Sequence, residues 1–483
     1  MGDPRRPSGF LTSGAGRPGH RSRLILALLL AGCARYQPRP LDLAAHPSEY
    51  RARRLDDARL LAWLERWAPA PAARRWSARQ LALAALAFRA DLARARAEWR
   101  AARAGERTAA TRPQPGAQGS LERAVSGSEG QSPWVISLAG LLNVELGGKR
   151  GARVQHARAR TAIAEAELRS TAWRVVREAE AAAWRLAASE ADLTAARREV
   201  GALAELEARE RARFQEASLS SAELARTGTE VQAARVDAAA AEAALLDARS
   251  GLAVALAVPT RALDSVTVGL DSTEDCAALQ SRGADSLGAL ALTARPEMGR
   301  ALAEYAAAES NVRLEVARQY PDLELGPGFI WDQGVHRWTL ALALPNLLGF
   351  RNRAAITEAE AARATAGARV AETQETLLGE VETAMSGCRG AMLERAAADS
   401  QRVVAEGAAT LAQAAYQRGE TSGLEPALAA LAVVRAERLQ EAARARVGSA
   451  AEALIASTGN HEALSPGQWP DPRKDFVTEG DQR

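Results

Sequence analysis

Apolar side chains recur at seven-residue intervals over long stretches of the chain. The repeating positions form two series: Leu186, Leu193 and Val200, and then Leu224, Val231, Ala238, Leu245 and Leu252. A seven-residue repeat draws one apolar stripe along a helix and makes paired helices supercoil. The pattern predicts very long helices over residues 149–217 and 351–418, each about 100 Å long. With the shorter helices that return from them, the two pairs occupy residues 149–257 and 351–458.

Alternating apolar and polar residues ahead of each long helix indicate short strands. Around residues 321–348 the apolar positions are Leu323, Leu325, Phe329 and Trp331, followed by Trp338, Leu340, Leu342 and Leu344. Around residues 116–146, Trp134, Ile136 and Leu138 alternate in the same way, whereas the run from Ala117 to Val125 is poorer because Arg123 falls on its apolar side. Period-two runs of about ten residues suit transmembrane barrel strands, although strands of a soluble sheet share the pattern. We expect four strands per chain.

The two halves of the chain repeat one order of elements, with an offset of 202 residues from Leu146 to Leu348. Leu146-Gly147-Gly148-Lys149-Arg150 corresponds to Leu348-Gly349-Phe350-Arg351-Asn352. The same offset relates Arg213-Phe214-Gln215-Glu216-Ala217 to Ala415-Tyr416-Gln417-Arg418-Gly419. Each half is expected to contain a first helix (Trp76 to Ala104, or Thr293 to Gln319), two strands, a very long helix and a second helix. The sequence therefore predicts an internal duplication.

Composition changes how the length is interpreted. A chain of 483 residues would ordinarily form about three globular domains, but nearly one residue in four is alanine and only 4% are aromatic. Alanine is the strongest helix former, so long, closely packed helices fit better than large cores. The hydrophobic content of 47% is too high for disorder. The net charge of +3 comes without a basic block, which argues against nucleic-acid binding.

The N-terminus has the features of an export signal. Arg21 and Arg23 precede the apolar run from Leu24 to Leu30, and Ala31-Gly32-Cys33 follows. A basic segment, a short apolar segment and a small-residue site define a signal peptide. The ending resembles the bacterial lipoprotein signal, which implies that residues 1–33 are the signal region and that Cys33 is lipidated. A plain secretory signal that happens to contain a cysteine is the alternative.

Two further cysteines, Cys276 and Cys388, show no metal-ligand spacing. An oxidising periplasm would let them pair, but the sequence favours two buried free thiols.

Catalysis is not expected. The chain contains no GxSxG, HExxH or GxxxxGK motif, and its five histidines are scattered. No metal site or cofactor is expected either.

Taken together, these features resemble the TolC-type outer-membrane efflux protein family. The resemblance covers about Trp76 to Gly459, and three local segments support the repeated order of elements. These are Ala294-Arg295-Pro296-Glu297-Met298, Tyr320-Pro321-Asp322-Leu323 and Tyr416-Gln417-Arg418-Gly419-Glu420-Thr421-Ser422. The resemblance implies a mainly α fold with a small β part. In a homotrimer, four strands per chain would form a twelve-stranded transmembrane β-barrel, and the antiparallel coiled-coil helices would form an α-barrel. Leu146 to Arg150 further resembles the heavy-metal-efflux branch.

The resemblance also implies a division of the chain. The two efflux repeats would span residues 76–258 and 293–459. Equatorial segments would comprise residues 34–75, 259–292 and 460–483.

The family's functional positions map onto the two helix–helix turns. There the channel is gated and a periplasmic adaptor docks, and the matching residues are Phe214, Ala217, Ser220, Tyr416, Gly419 and Ser422. Glycine is usual at the position of Ala217, which leaves the shape of the first turn open. An acidic residue just past each turn implies a carboxylate ring at the pore constriction. The matching positions are Glu223 and Glu425, for which a solvated helix-face glutamate is the alternative.

The predicted function is a passive trimeric exit duct for small molecules or metal ions, lipid-anchored in the outer membrane. The implied partners are outer-membrane lipid, a periplasmic membrane-fusion adaptor and an inner-membrane pump, for which the resemblance suggests the resistance-nodulation-division type. The alternative is a lipid-anchored periplasmic adaptor or coiled-coil scaffold, which two hairpins and four strands disfavour.

Overall fold

The computed structural model describes residues 36–69, 71, 75–123, 125, 132–264, 266–269, 276–344, 352–459 and 470–473. The predicted signal region with Cys33, the segment around Leu348 and most of the tail at 460–483 lie outside the described residues. The chain divides into two units, Met1–Glu49 and Tyr50–Arg483. In the first unit, Asp42 accepts a hydrogen bond from the backbone N–H of Ala44 (2.9 Å) just ahead of a helix. Apart from the start of that helix, the elements that follow lie in the second unit.

Helices dominate the described residues. They are α1 (Ala45–Ala52), α2 (Ala58–Leu64), α3 (Ala78–Phe88), α4 (Ala90–Ala110), α5 (Lys149–Gln215), α6 (Ser221–Leu256), α7 (Cys276–Gln280), α8 (Ala284–Ala294), α9 (Pro296–Arg318), α10 (Arg353–Gln417) and α11 (Leu424–Thr458). The strands are β1 (Arg75–Ser77), β2 (Gly116–Arg123), β3 (Trp134–Val144), β4 (Thr267–Gly269), β5 (Leu323–Asp332) and β6 (Val335–Ala343). None of the described helices combines the length and the apolarity that crossing a bilayer requires.

The two very long helices are present as predicted. Helix α5 has 67 residues and α10 has 65, so each is about 100 Å long. Helix α6 packs back along α5, α11 packs back along α10, and α5 contacts α11 between them. Every position of the seven-residue seam is buried or half-buried, and Leu186, Leu193 and Val231 are at most 6% exposed. The predicted coiled-coil packing is confirmed.

The first helix is not continuous, which corrects the expectation of one helix from Trp76 to Ala104. The chain breaks at Arg89, whose backbone is extended (φ −71°, ψ 122°) between α3 and α4. Residues from Gln80 to Leu86 are all buried, so α3 is enclosed on every side, as a core helix is. Helix α4 is instead amphipathic and is buried on one side only. Because α3 and α4 bury different faces, the chain breaks between them.

The two largest apolar cores among the described residues join helices that are far apart in the sequence. The larger one joins α2, α3, the middle of α5 and the end of α6 through Leu64, Leu81, Leu168 and Leu252. The smaller one joins α7 and α8 to α10 and α11 through Leu287, Val381 and Leu454, together with Cys276 and Cys388.

The two cysteines form a disulfide, so the expectation of free thiols was wrong. Their Cα atoms are 5.6 Å apart although 112 positions separate them in the sequence. Both side chains are fully buried in the smaller core. Folding of the linker helix α7 onto α10 brings the sulfur atoms together, and no sequence spacing indicates that contact.

Four strands form one antiparallel sheet in the order β2–β3–β5–β6. Leu138 lies opposite Phe329, and Leu142 lies opposite Leu325. The predicted apolar positions therefore share one face. The opposite face is mostly small or polar, apart from Val135, Leu141 and Ile330. Ser120 and Ser137 hydrogen-bond there at 2.8 Å.

Strand β2 forms despite the poor pattern of its sequence. Arg123 lies opposite Trp134 on the apolar face. Its guanidinium carbon is 5.7 Å from the centre of the indole ring. This cation–π contact accommodates the charge that made the run a weak strand candidate.

Residues of the Tyr320-Pro321-Asp322 segment connect the sheet to the long helix α5. Lys149 at the start of α5 forms an ion pair with Asp322 at 2.7 Å. Gly147 has φ +67°, and a Cβ atom there would lie 2.5 Å from the Tyr320 ring. Glycine is required at Gly147 because the backbone is left-handed and the tyrosine leaves no room.

Candidate functional site: the two helix–helix turns

The first turn reverses the chain between α5 and α6 through a left-handed residue. Ala217 has φ 55°. Its N–H donates to the carbonyl of Phe214 at 3.0 Å, and the N–H of Ser218 donates to that of Arg213 at 2.9 Å. This pair of bonds satisfies the last carbonyls of α5, as in the Schellman type of helix end.

The second turn, between α10 and α11, has the same geometry. Gly419 has φ 75°. Its N–H donates to the carbonyl of Tyr416 at 2.9 Å, and the N–H of Glu420 donates to that of Ala415 at 2.9 Å. Each atom pair lies 202 positions after its counterpart in the first turn. The question that Ala217 raised about the first turn is therefore answered: alanine adopts the backbone that glycine adopts in the second.

Glu223 is engaged at the start of its own helix. Its carboxylate accepts hydrogen bonds from the backbone N–H of Ser220 at 3.0 Å and from the Ser220 hydroxyl at 2.8 Å. The Ser220 hydroxyl in turn accepts from the N–H of Glu223 at 3.2 Å. This capping box satisfies backbone donors that the helix leaves open. The hydrogen bonds from Ser220 lower the pKa of the exposed Glu223 carboxyl.

Glu425 differs from Glu223 in its surroundings. It lies in the first turn of α11 and is exposed. Among the described residues, its carboxylate has no hydrogen bond or ion pair. The neighbouring Glu420 is by contrast held by Arg418 at 2.6 Å, and the Tyr416 ring lies against Gly423. Of the carboxylates predicted past the turns, Glu425 is the one left available.

The structure brings the two turns together. Arg213, just before the first turn, donates to the hydroxyl of Ser422 at 3.0 Å. Arg209, one helical turn earlier, donates to the carbonyl of Gly423 at 3.0 Å. Below them an apolar cluster joins α5, α6 and α11, and its members include Leu203, Leu206, Val231 and Leu431.

An ion-pair network that sequence reasoning missed joins α5 to α11 next to this cluster. Glu199 accepts from Arg435 at 2.8 Å and from Arg438 at 3.1 Å. Arg198 pairs with Glu441 at 2.8 Å. Burial alone would raise the pKa of the Glu199 carboxyl, but the two arginines lower it. Charged residues are so frequent on these helices that no sequence pattern marks these particular ones.

Metal binding finds no support within the described ranges, where no group of three or more His, Cys, Asp and Glu side chains could hold an ion. His156 lies 3.1 Å (Nδ1 to Oγ) from Ser310, and burial lowers its pKa.

Comparisons with known proteins agree with this architecture. Residues 287–460 match the family described as outer membrane efflux protein. A membrane protein from Pseudomonas aeruginosa is 20% identical, with 79% of this chain and 93% of that chain covered and a TM-score of 0.64. The outer membrane protein VceC from Vibrio cholerae is 19% identical, with coverages of 79% and 96% and a TM-score of 0.63. The CmeC outer membrane channel of Campylobacter jejuni is 15% identical, with coverages of 83% and 90% and a TM-score of 0.63. A search of curated proteins finds no match.

Proposed function

We propose that this chain, whose residues 287–460 match the outer membrane efflux protein family, is the outer-membrane channel component of a tripartite efflux system. The observation that carries the proposal is the exposed apolar face of the four-stranded sheet. On β6, Trp338 is 85% exposed, Leu340 71% and Leu342 63%. Strands of this length with one apolar face and aromatic side chains suit a membrane barrel, and lipid would cover the face.

Closing the barrel would take more than one chain. Strands β2 and β6 each have one edge without a partner strand among the described residues. Unpaired backbone groups are costly in lipid, and a barrel needs about eight strands. We propose a homotrimer with twelve strands, in which β6 of one chain pairs with β2 of the next. The recurrence of turn geometry at the 202-residue offset supports the predicted duplication.

In this trimer the long helices would extend from the barrel into the periplasm. The two turns would lie at their far ends, where we propose that a membrane-fusion adaptor docks and connects the channel to an inner-membrane pump. Phe214 and Tyr416 support this assignment, being 43% and 48% exposed at the turns. We also propose that Cys33 is lipidated and anchors the chain in the outer membrane.

A ring of carboxylates would set ion selectivity at the narrow end. We assign it to Glu425, because the Glu223 carboxylate is already bound by Ser220. Three copies around an axis would attract cations and repel anions.

Conductance of the purified protein in planar lipid bilayers tests both proposals. We expect ion channels, with a cation-to-anion permeability ratio that falls at least about twofold in Glu425→Gln. Glu420→Gln is the matched control, since that carboxylate sits in the same turn but is paired with Arg418. An absence of channels would reject the duct. An unchanged reversal potential in Glu425→Gln would reject the ring.

A further inference from the structure

The two helical hairpins, α5–α6 and α10–α11, repeat each other position by position. Helices α6 and α11 end at left-handed residues that lie 202 positions apart, Ala257 (φ 54°) and Gly459 (φ 67°). Two buried alanines of each hairpin keep the same offset: Ala196 and Ala241 in the first, Ala398 and Ala443 in the second. A contact made by one hairpin therefore identifies the corresponding position of the other.

Within the chain the two hairpins form a layer in the order α6–α5–α11–α10. Helices α6 and α10 lie at the ends of this layer and do not pack on each other among the described residues. The sheet ends in the same way, on β2 of the first repeat and β6 of the second. Pairing between copies that continues the sheet would therefore also bring α6 of one copy beside α10 of another.

Each of these end helices carries an exposed, uncharged stripe. Its positions alternate in steps of three and four residues, which is the spacing of a coiled-coil seam. On α10 the large apolar members Leu393, Val404 and Leu411 are 69%, 71% and 73% exposed. The stripe is completed on α10 by Ala397, Ser400 and Gly407, and on α6 it consists of Ala222, Ala225, Thr229, Gln232, Val236, Ala239 and Ala243. Exposed apolar seams of this length are expected to pack against another helix.

The corresponding seam inside the chain, between α5 and α11, is charged instead. Glu199 accepts a hydrogen bond from Arg438 at 3.1 Å. The positions 202 away hold Gln401 and Val236, which carry no charge. If α11 of a neighbouring copy packed on α10, its Arg438 would meet Gln401 in place of Glu199, and burying a charge without its partner is costly. The stripe on α10 therefore favours α6 over α11.

Contacts of the charged seam also indicate how the uncharged stripes would align. Arg198 of α5 pairs with the carboxylates one position before and three positions after Arg438 of α11, at 3.2 and 2.8 Å. The counterparts of Arg198 and Arg438 are Ser400 and Val236. In the same register, Ser400 of one copy would lie next to Val236 of another.

We propose that α6 of one copy packs along α10 of the next through these two stripes and in this register. Val236 then lies beside Ala397 and Ser400, and Leu393 lies beside Ala239, so that each large side chain meets small ones. This seam rests on the proposed homotrimer and adds its helical contact. Charged seams within chains would alternate around the ring with apolar seams between chains.

Cross-linking of paired cysteines tests the seam on the full-length protein in lipid nanodiscs. In Val236→Cys, Ser400→Cys, a short bis-maleimide should join neighbouring chains, visible as linked dimers and trimers on a denaturing gel. The two cysteines of one chain are too far apart to be joined, because the layer of four helices separates them by about 24–30 Å. The native Cys276 and Cys388 are buried in their disulfide.

Val236→Cys, Ser386→Cys is the matched control. Ser386 is likewise an exposed serine of α10, but it lies two heptads from Ser400, or about 21 Å along the helix. This pair should therefore stay unlinked.

A charge exchange tests the same contact without a cross-linker. Val236→Arg places in the seam the charge that Arg438 carries inside the chain. It should raise the concentration at which trimers dissociate in detergent about tenfold, measured by analytical ultracentrifugation. Adding Gln401→Glu supplies the counterpart of Glu199 and should restore most of the assembly.

Unlinked chains in Val236→Cys, Ser400→Cys, or equal linkage in both cysteine pairs, overturn the proposed seam. Unchanged assembly of Val236→Arg, or no recovery on adding Gln401→Glu, overturns it as well. Neither measurement needs ion flow. A protein that conducts ions without being linked retains the channel and rejects the seam, whereas a linked protein that conducts no ions does the reverse.

Discussion

At the scale of single residues, the two turns place alanine and glycine in the same left-handed backbone. Ala217 has φ 55° and Gly419 has φ 75°. This conformation costs an L-residue about 1–2 kcal/mol, whereas glycine adopts it freely. The first turn therefore carries strain that the second does not.

Replacing the strained residue should stabilise the first turn. We expect Ala217→Gly to raise its local stability by about 1 kcal/mol, visible as slower hydrogen–deuterium exchange in peptides that span residues 206–224. Ala212→Gly, in the last turn of α5 with helical backbone, should instead lower stability by about 1 kcal/mol. Faster exchange in Ala217→Gly would show that its left-handed backbone is not strained.

A second residue-scale prediction concerns pH. Burial alone would raise the pKa of Asp91, but hydrogen bonds from Arg89 and Arg174 lower it to about 2. Because solvent screens this partly exposed carboxylate, it contributes about 1 kcal/mol at pH values above its unfolded pKa. This contribution is lost as the pH falls through about 2. We expect Asp91→Asn to lower the thermal midpoint at neutral pH and to approach the wild type near pH 2. A constant difference over that range would contradict this account.

Some residue-level features were readable from the sequence and others were not. Ser220 and Glu223 have the spacing of a capping box. The sequence therefore already indicated that Ser220 would bind the Glu223 carboxylate, which argues against Glu223 as a pore-ring residue. No sequence pattern indicated that the Glu425 carboxylate would lack a partner among the described residues, because this depends on which side chains of neighbouring helices lie near it.

At the scale of elements, packing between α5 and α11 depends on a small residue of one helix that leaves space for a large side chain of the other. Trp184 of α5 occupies the space above Gly448 of α11. A methyl group there overlaps the indole, and such overpacking typically costs about 1–3 kcal/mol.

We expect Gly448→Ala to lower the thermal midpoint of the purified protein. Gly390→Ala is the matched control. It lies in α10, where a Cβ atom meets nothing within 4 Å, so alanine should raise stability by about 1 kcal/mol through its helix propensity. A midpoint that rises equally in both variants would show that the Trp184 ring moves aside without cost.

The elements themselves divide into predictable and unpredictable ones for physical reasons. The long helices repeat one pattern over dozens of residues, so α5 and α10 could be located from sequence. The break at Arg89 and the strand β2 depend on tertiary contacts. Arg89 turns the chain while bonded to Asp91, and Arg123 is accommodated by Trp134. Neither contact is visible in local sequence.

At the scale of the whole molecule, the disulfide closes a long loop between the linker and α10. Cys276 and Cys388 are separated by 112 residues. A bond of this span restricts the unfolded chain and typically contributes about 2–4 kcal/mol.

We expect the double variant Cys276→Ser, Cys388→Ser to unfold at lower temperature than the wild type. A reductant present during unfolding should lower the midpoint of the wild type and leave the variant unchanged. Equal midpoints without reductant would show that the cross-link adds nothing.

The fold class could be predicted because the order of elements, more than any single motif, identified it. The assembly could not be predicted in the same way, because neither outer edge of the sheet has a partner strand among the described residues. The homotrimer accordingly stays a proposal that rests on β2 and β6.

Those two edges have a genetic consequence. If β6 of each chain pairs with β2 of the next, one chain with a defective β6 prevents the barrel of the whole trimer from closing. In a cell that makes normal and defective chains in equal amounts, only about one trimer in eight would contain three normal chains. Lesions in the edge strands should therefore behave as dominant, whereas lesions that prevent a chain from being made at all should be recessive.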